Sequence, residues 1–251
     1  MTIIMKKTIN QFSLFSFLVC VIILIFLSSC DNSGEIINGS VKDIDGNSYH
    51  IIQIGTQIWM AENLRVTKYN NGDKIQNILD TDIWNMSTVG AQCTYNNTTN
   101  IDSINKQGRL YNWYTIIDKR KIAPKGWHVP TNTDWSILVD YLQSKGYNTN
   151  DLIKNSLITK TDWVFFSSLK TNNTITNSTG FSAFPAGVRG YYGAFAGYGD
   201  YSSWWSSTKE NSGQLWGWSL QINPYMIYYY GLDKGAITRN TCGQSIRCIK
   251  D

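Results

Sequence analysis

Gly126-Trp127-His128-Val129-Pro130-Thr131-Asn132-Thr133-Asp134-Trp135 carries the clearest helix start in this 251-residue chain. After Pro130, Thr131 is a good N-cap, and Asp134 stands at the third helical position, where a carboxylate suits the helix dipole. Trp135, Leu138, Val139 and Leu142 then follow at i, i+3, i+4 and i+7, which is one apolar stripe. Gly146 is a suitable stop. A weaker helical pattern runs from Asp151 to Leu157.

Outside this region the signals are those of strands and turns. Upstream, Asp45-Gly46 tolerates a tight turn, Tyr49 to Ile54 is β-branched and apolar, and Gly55-Thr56 turns the chain into Gln57-Ile58-Trp59-Met60. This reads as a β-meander. Asp43-x-Asp45-Gly46-Asn47 has the look of a calcium loop but lacks the spacing and terminal Glu of an EF-hand, so it reads as a hairpin turn. Downstream of Gly180 come short strands and aromatic loops. Trp216, Trp218, Leu220 and Ile222 alternate with Gly217, Ser219 and Gln221, the period of a half-buried strand. Ser245 to Ile249 reads as a closing strand. The pattern predicts a loop-rich α+β domain with short antiparallel strands and one or two helices.

The N-terminus reads as an address. Lys6 and Lys7 precede an apolar run from Phe12 to Leu27, and small residues follow, the layout of a secretory signal. The run is short for a spanning helix, which needs about 20 residues. Leu27-Ser28-Ser29-Cys30 resembles a bacterial lipobox, in which the cysteine carries diacylglycerol and becomes the first residue. The expected organisation is therefore a leader over 1–29, lipidated Cys30 with a polar tether over 30–40, and one domain over 41–251. The membrane is the first expected partner, through the acyl chains on Cys30, and the expected location is the cell envelope, at the outer membrane. Losing Lys6 and Lys7 with the leader lowers the formal charge from +4 to +2. No basic stripe remains to track phosphates, so nucleic acid is not an expected partner.

Several segments together resemble the Fibrobacter succinogenes major paralogous domain, a family of secreted and lipid-anchored bacterial proteins. They are Asp45-Gly46-Asn47, the run from Gln57 to Leu64, Gly108-Arg109-Leu110-Tyr111-Asn112-Trp113, the run from Ala123 to Thr131 with Asp134-Trp135, the run from Gly180 to Gly187, Trp205-Ser206-Ser207-Thr208 and the run from Ser245 to Asp251. More distantly, Gly126 to Thr131 with Asp134-Trp135, and Ile246-Arg247-Cys248, are similar to the helix-opening and closing segments of formylglycine-generating enzymes. That resemblance implies a C-type-lectin-like fold, and a fold does not carry an activity.

Chemistry finds little support in the motifs. The copper oxidase reaction of formylglycine-generating enzymes needs a thiol pair, yet no cysteine lies between Cys93 and Cys242. His50 and His128 are the only histidines, without zinc spacing, and each reads as structural. No catalytic motif, cofactor or metal is expected. With Cys20 in the leader and Cys30 lipidated, Cys93, Cys242 and Cys248 leave three possible pairings. The family resemblance implies Cys93–Cys248, with Cys242–Cys248 as the alternative.

The expected function is non-enzymatic binding of a glycan or a surface protein. Tyr191, Tyr192, Tyr198 and Tyr201 lie among glycines, and Tyr228, Tyr229 and Tyr230 run consecutively, so that in a strand at least one faces away from the core. Tyrosine gives rigid amphipathic contact area, and Asn211, with Asp200 and Arg189, offers polar contacts. The tryptophans read as core. A structural or adhesin component, and a metal-dependent oxidase or hydrolase on the same fold, are the alternatives.

Overall fold

The computed structural model describes residues 39–164, 175–209, 215–221, 233–237 and 239–251. In chain order the strands are β1 (Ser40–Lys42), β2 (Ser48–Ile54), β3 (Gln57–Met60), β4 (Gln76–Asn77), β5 (Ala91–Cys93), β6 (Leu110–Tyr111), β7 (Trp127–His128), β8 (Ala186–Arg189), β9 (Phe195–Tyr198), β10 (Tyr201–Lys209), β11 (Leu215–Gln221), β12 (Asp233–Ile237) and β13 (Ile249–Lys250). The helices are α1 (Thr81–Met86), α2 (Ile101–Gln107), α3 (Trp113–Ile116), α4 (Asn132–Ser144) and α5 (Asn150–Leu157). The strands form one five-stranded sheet ordered β1-β2-β3-β13-β7, a second ordered β12-β11-β10-β8-β9, and a small third ordered β4-β5-β6.

This helix start folds as its spacing predicts. Thr131 caps α4 in a full capping box: its hydroxyl accepts from the Asp134 N–H, and the Asp134 carboxylate accepts from the Thr131 N–H at 2.8 Å. At the other end Gly146 takes φ +89°. The Gly146 N–H reaches the Gln143 carbonyl and the Tyr147 N–H reaches that of Leu142, which closes a Schellman motif. The meander is also present, with β1, β2 and β3 antiparallel in succession. Asp43 fixes its first turn by accepting from the N–H groups of Asp45 and Asn47 and from the Tyr49 hydroxyl at 2.6 Å.

Three expectations are corrected. There are five helices among the described residues rather than one or two. The additional α1, α2 and α3 span only four to seven residues, too short for a 3.6-residue period to show, and each rests on a side-chain cap from Asp80, Asn100 or Asn112. The sheets are mixed rather than antiparallel, because β4 pairs with β5, and β8 with β10, in parallel. On β11 the alternation holds for Trp218 and Leu220, buried opposite half-buried Ser219 and Gln221, but Trp216 is only half-buried, and Leu215 and Gly217 on the other face are buried as well. Ile222 lies outside the described residues.

Two large clusters flank the strands. One joins Ile52, Ile54, Trp59, Ile249, Trp204 and Trp218 to Trp135, Leu138 and Leu142 of α4 and to Ile153 and Leu157 of α5. The other gathers Tyr49, Met60, Leu64, Tyr111, Trp113, Trp205, Ile246 and Cys248. The adjacent pairs Trp59/Met60, Trp204/Trp205 and Cys248/Ile249 split between the two, because successive strand side chains point to opposite faces.

A buried polar hub crosses this packing. The Asn63 side-chain oxygen accepts from Trp204 Nε1 at 2.8 Å and from Arg247 Nη2 at 2.9 Å, while its amide nitrogen donates to the Gln107 carbonyl at 2.9 Å. Arg247 is 1% exposed, donates to the Phe181 carbonyl and packs over the Phe181 ring at 4.3 Å. Burial pulls its pKa down from the ordinary arginine range, weakly opposed by Glu62. Asn63→Ala strands this guanidinium without its side-chain acceptor and should cost roughly 3–5 kcal/mol. Arg247→Met, which removes the charge with its donors, should cost less. Urea unfolding of both variants, read as a midpoint shift at constant m-value, checks the order.

Candidate functional site

The β8–β9 hairpin carries two of the tyrosines at its tip. Gly190 and Ala194 close the loop, with the Gly190 N–H on the Ala194 carbonyl at 2.7 Å. Gly193 takes φ +86° directly against Thr81, where a Cβ would lie 2.6 Å from the threonine methyl. The hairpin thereby seats on the start of α1.

Arg189 clamps the two together. Its Nε donates to the Gly193 carbonyl at 2.9 Å, Nη1 to Ile78 at 2.6 Å, and Nη2 to Leu79 at 2.9 Å. The guanidinium lies between the rings of Trp84 and Phe195, at 4.4 and 4.9 Å. It is fully buried, so the expectation that Arg189 offers a surface polar contact is corrected: carbonyls and aromatic faces consume it.

At the tip the Tyr191 and Tyr192 rings lie with centroids 3.9 Å apart and planes tilted by 41°, and the Arg239 guanidinium lies 5.3 Å from the Tyr191 ring. Tyr192 is 65% exposed. On and just before α1, whose start Gly193 of this hairpin touches, Leu79, Ile83 and Met86 are each more than half exposed. The core contact of this helix is made by Trp84, whose Nε1 donates to the Thr241 carbonyl. The sequence analysis did not single out these three residues, because a six-residue helix is too short for an apolar period to mark its faces.

The other tyrosines lie elsewhere. Tyr198 sits at the hairpin base, half exposed, with its ring 5.2 Å from Tyr95 and its hydroxyl accepting from Gln107 Nε2 at 3.4 Å. Tyr201 opens β10 and is half-buried. The structure thus splits the sequence-predicted surface into a tip and a base. Cys30, Asn211, Tyr228, Tyr229 and Tyr230 lie outside the described residues.

The histidines are held apart and occupied. His50 on β2 is exposed and bonds Glu62 at 2.6 Å. His128 on β7 lies between Asp251, 2.8 Å from Nδ1, and Asp134, 3.3 Å from Nε2. Burial pushes the Asp134 carboxyl up, but hydrogen bonds from the Thr131 hydroxyl and N–H and from His128 outweigh it, so its pKa stays below the usual carboxylate range. Asp134 is committed to the helix cap. Among the described residues no cluster of three or more His, Cys, Asp or Glu is placed to hold a metal.

The expected disulfide is also corrected. Cys93, Cys242 and Cys248 are all free thiols. Cys93 is buried with Ile78, Trp84 and Leu110, whereas Cys248 is buried in the separate cluster around Tyr111 and Met60, so packing holds the proposed partners in different cores. Burial pushes the Cys93 thiol up to about 11 despite Arg189, and raises those of Cys248 and Cys242 as well.

A family model, the Fibrobacter succinogenes major domain, matches residues 52–250. No curated protein and no solved structure matches the chain.

The thiol geometry predicts an alkylation pattern. In the native protein Cys242 should react slowly with iodoacetamide, while Cys93 and Cys248 stay protected, because the thiolate is the nucleophile and both are buried and protonated. All three should react after denaturation without reductant, as read by mass spectrometry.

Proposed function

We propose, from the premise that the chain belongs to the Fibrobacter succinogenes major domain family, that it is a lipid-anchored protein of the bacterial cell envelope whose domain binds a protein partner. The observation that carries the binding role is the exposure of Tyr192 on a hairpin tip seated against the start of α1, together with that of Leu79, Ile83 and Met86 on and just before the same helix. Exposed apolar side chains gathered in one place mark interaction sites, and a rigid aromatic pair is the usual kind of interface anchor. Aliphatic neighbours beside the tyrosines favour a protein over a glycan at this edge. A binding role rather than catalysis is supported by the state of the polar side chains, since His128, Asp134 and Arg189 are each consumed in structural bonds.

The anchor reading rests on the signal layout and the lipobox-like segment ending at Cys30. It accords with the described residues, in which no helix is long and apolar enough to cross a membrane. We further read the domain as C-type-lectin-like. Support comes from the loop-rich α+β build and from α4 opening directly after Trp127-His128-Val129-Pro130.

Two experiments test the reading. A photo-crosslinking amino acid placed at position 192 of the full chain should give a discrete adduct on cells. Ile83→Asp and Met86→Asp should each lower its yield by at least about tenfold, the loss of roughly 1.4 kcal/mol or more. A crosslinker at position 160 should give none, and equal yields at both positions would sink the proposal. An adduct between two copies of this chain would assign the edge to self-assembly, the adhesin-like alternative. Separately, Cys30→Ala should abolish incorporation of labelled palmitate and release the protein from the outer-membrane fraction.

A further inference from the structure

The first sheet has β1 at one edge and β7 at the other, yet residues of both edges line one cleft. Its walls are Lys42, Asp43 and Ile44 at the end of β1, the loop Lys121 to Gly126, Trp127 of β7, and Asp251 after β13. The sheet therefore curls until its edges face each other across a gap of about 480 Å³, within the usual size range of ligand sites.

The polar groups around this gap are unequal. Lys42, Lys121 and Lys125 are exposed, and among the described residues none has a carboxylate within ion-pair distance. The two acids are engaged elsewhere. Asp43 is 7% exposed; one oxygen accepts from the Asp45 and Asn47 N–H groups, and the other from Asn47 Nδ2 and the Tyr49 hydroxyl. Asp251 gives an oxygen to His128 Nδ1 at 2.8 Å, and its own N–H is tied to the Gly126 carbonyl at 3.0 Å. The loop opposite is fixed by Asn70, whose Nδ2 donates to the Ala123 carbonyl at 2.6 Å. Trp127 is half-buried, packs in part against the cluster around Tyr111 and Met60, and lines the cleft.

We propose that this cleft is a second binding site, separate from the tyrosine edge, which takes an acidic saccharide. Three cations without partners supply the attraction for a carboxylate or sulfate. A partly open indole supplies a flat apolar face for a sugar ring. Lysine is a compact, strongly hydrated point charge rather than a planar fork, so the site selects negative charge on a ring and does not demand bidentate geometry. The proposal does not rest on the protein-partner reading of the hairpin.

Titration calorimetry of the full chain in detergent and low-salt buffer tests it, with tetragalacturonate, neutral galactotetraose and inorganic phosphate as probes. The expected result is that tetragalacturonate binds at least about tenfold more tightly than either of the others, and that added salt weakens it. Lys121→Ala/Lys125→Ala, both at exposed positions, should weaken it by a further factor of about ten or more, while Tyr192→Ala leaves it unchanged. Trp127→Leu should weaken both saccharides. The proposal is overturned by absence of tetragalacturonate binding, by equal binding of the neutral tetramer, by phosphate competing at equal concentration, or by unchanged affinity in the double lysine variant. Loss on Tyr192→Ala alone would also overturn it and move saccharide binding to the hairpin.

Discussion

Among the described residues no carboxylate lies within ion-pair distance of the buried Arg247 guanidinium, and the fold is arranged around that fact. An unpaired buried charge is costly unless dipoles replace its hydration. Here the dipoles come from Asn63 just after β3 and from the Phe181 carbonyl, with the Phe181 ring against the guanidinium. The same Asn63 oxygen accepts from Trp204 of β10, and its nitrogen reaches the end of α2. The two larger sheets, the loop before β8 and a helix end thus meet at one side-chain amide. Moving any of them leaves a charge or an indole N–H unsatisfied.

Arg189 applies the same solution at the periphery. Main-chain carbonyls of Ile78, Leu79 and Gly193 take its donors, and Trp84 and Phe195 cover its faces. Its effect is to hold the hairpin tip against the start of α1, where Gly193 meets Thr81. A buried arginine therefore positions the exposed edge without belonging to its surface. The segments by which the chain resembles its family, Asn63, Phe181 and Arg247 among them, hold the core together.

The two peripheral surfaces differ in physical character. The hairpin edge is apolar and aromatic, suited to a partner that excludes water. The gap in the curled sheet is open, hydrated and lined by unpaired lysines, suited to a charged ligand that keeps some of its water. Neither asks for a nucleophile or a base, in keeping with a chain whose histidines tie a turn and a helix cap in place.

The sequence by itself determined the local decisions. The Thr131 cap, the Asp134 capping box, the Gly146 stop and the Asp45-Gly46 turn each depend on residues within a few positions of one another, and local hydrogen bonds settle them. The tertiary structure alone decided what depends on distant neighbours. Trp204 and Trp205 enter different cores because both faces of β10 are covered, and a strand buried on both faces shows no alternation to read. Arg189 looked like a surface group because the carbonyls that bury it come from residues 78–80 and 193. Ile83 and Met86 went unread because the six-residue α1 is too short to show a period, and its core contact falls on Trp84. The lysine-lined cleft joins residues 42 and 127 across a whole sheet. Charge and apolar pattern are properties of a residue and its near neighbours, whereas exposure and partnership belong to the packed chain.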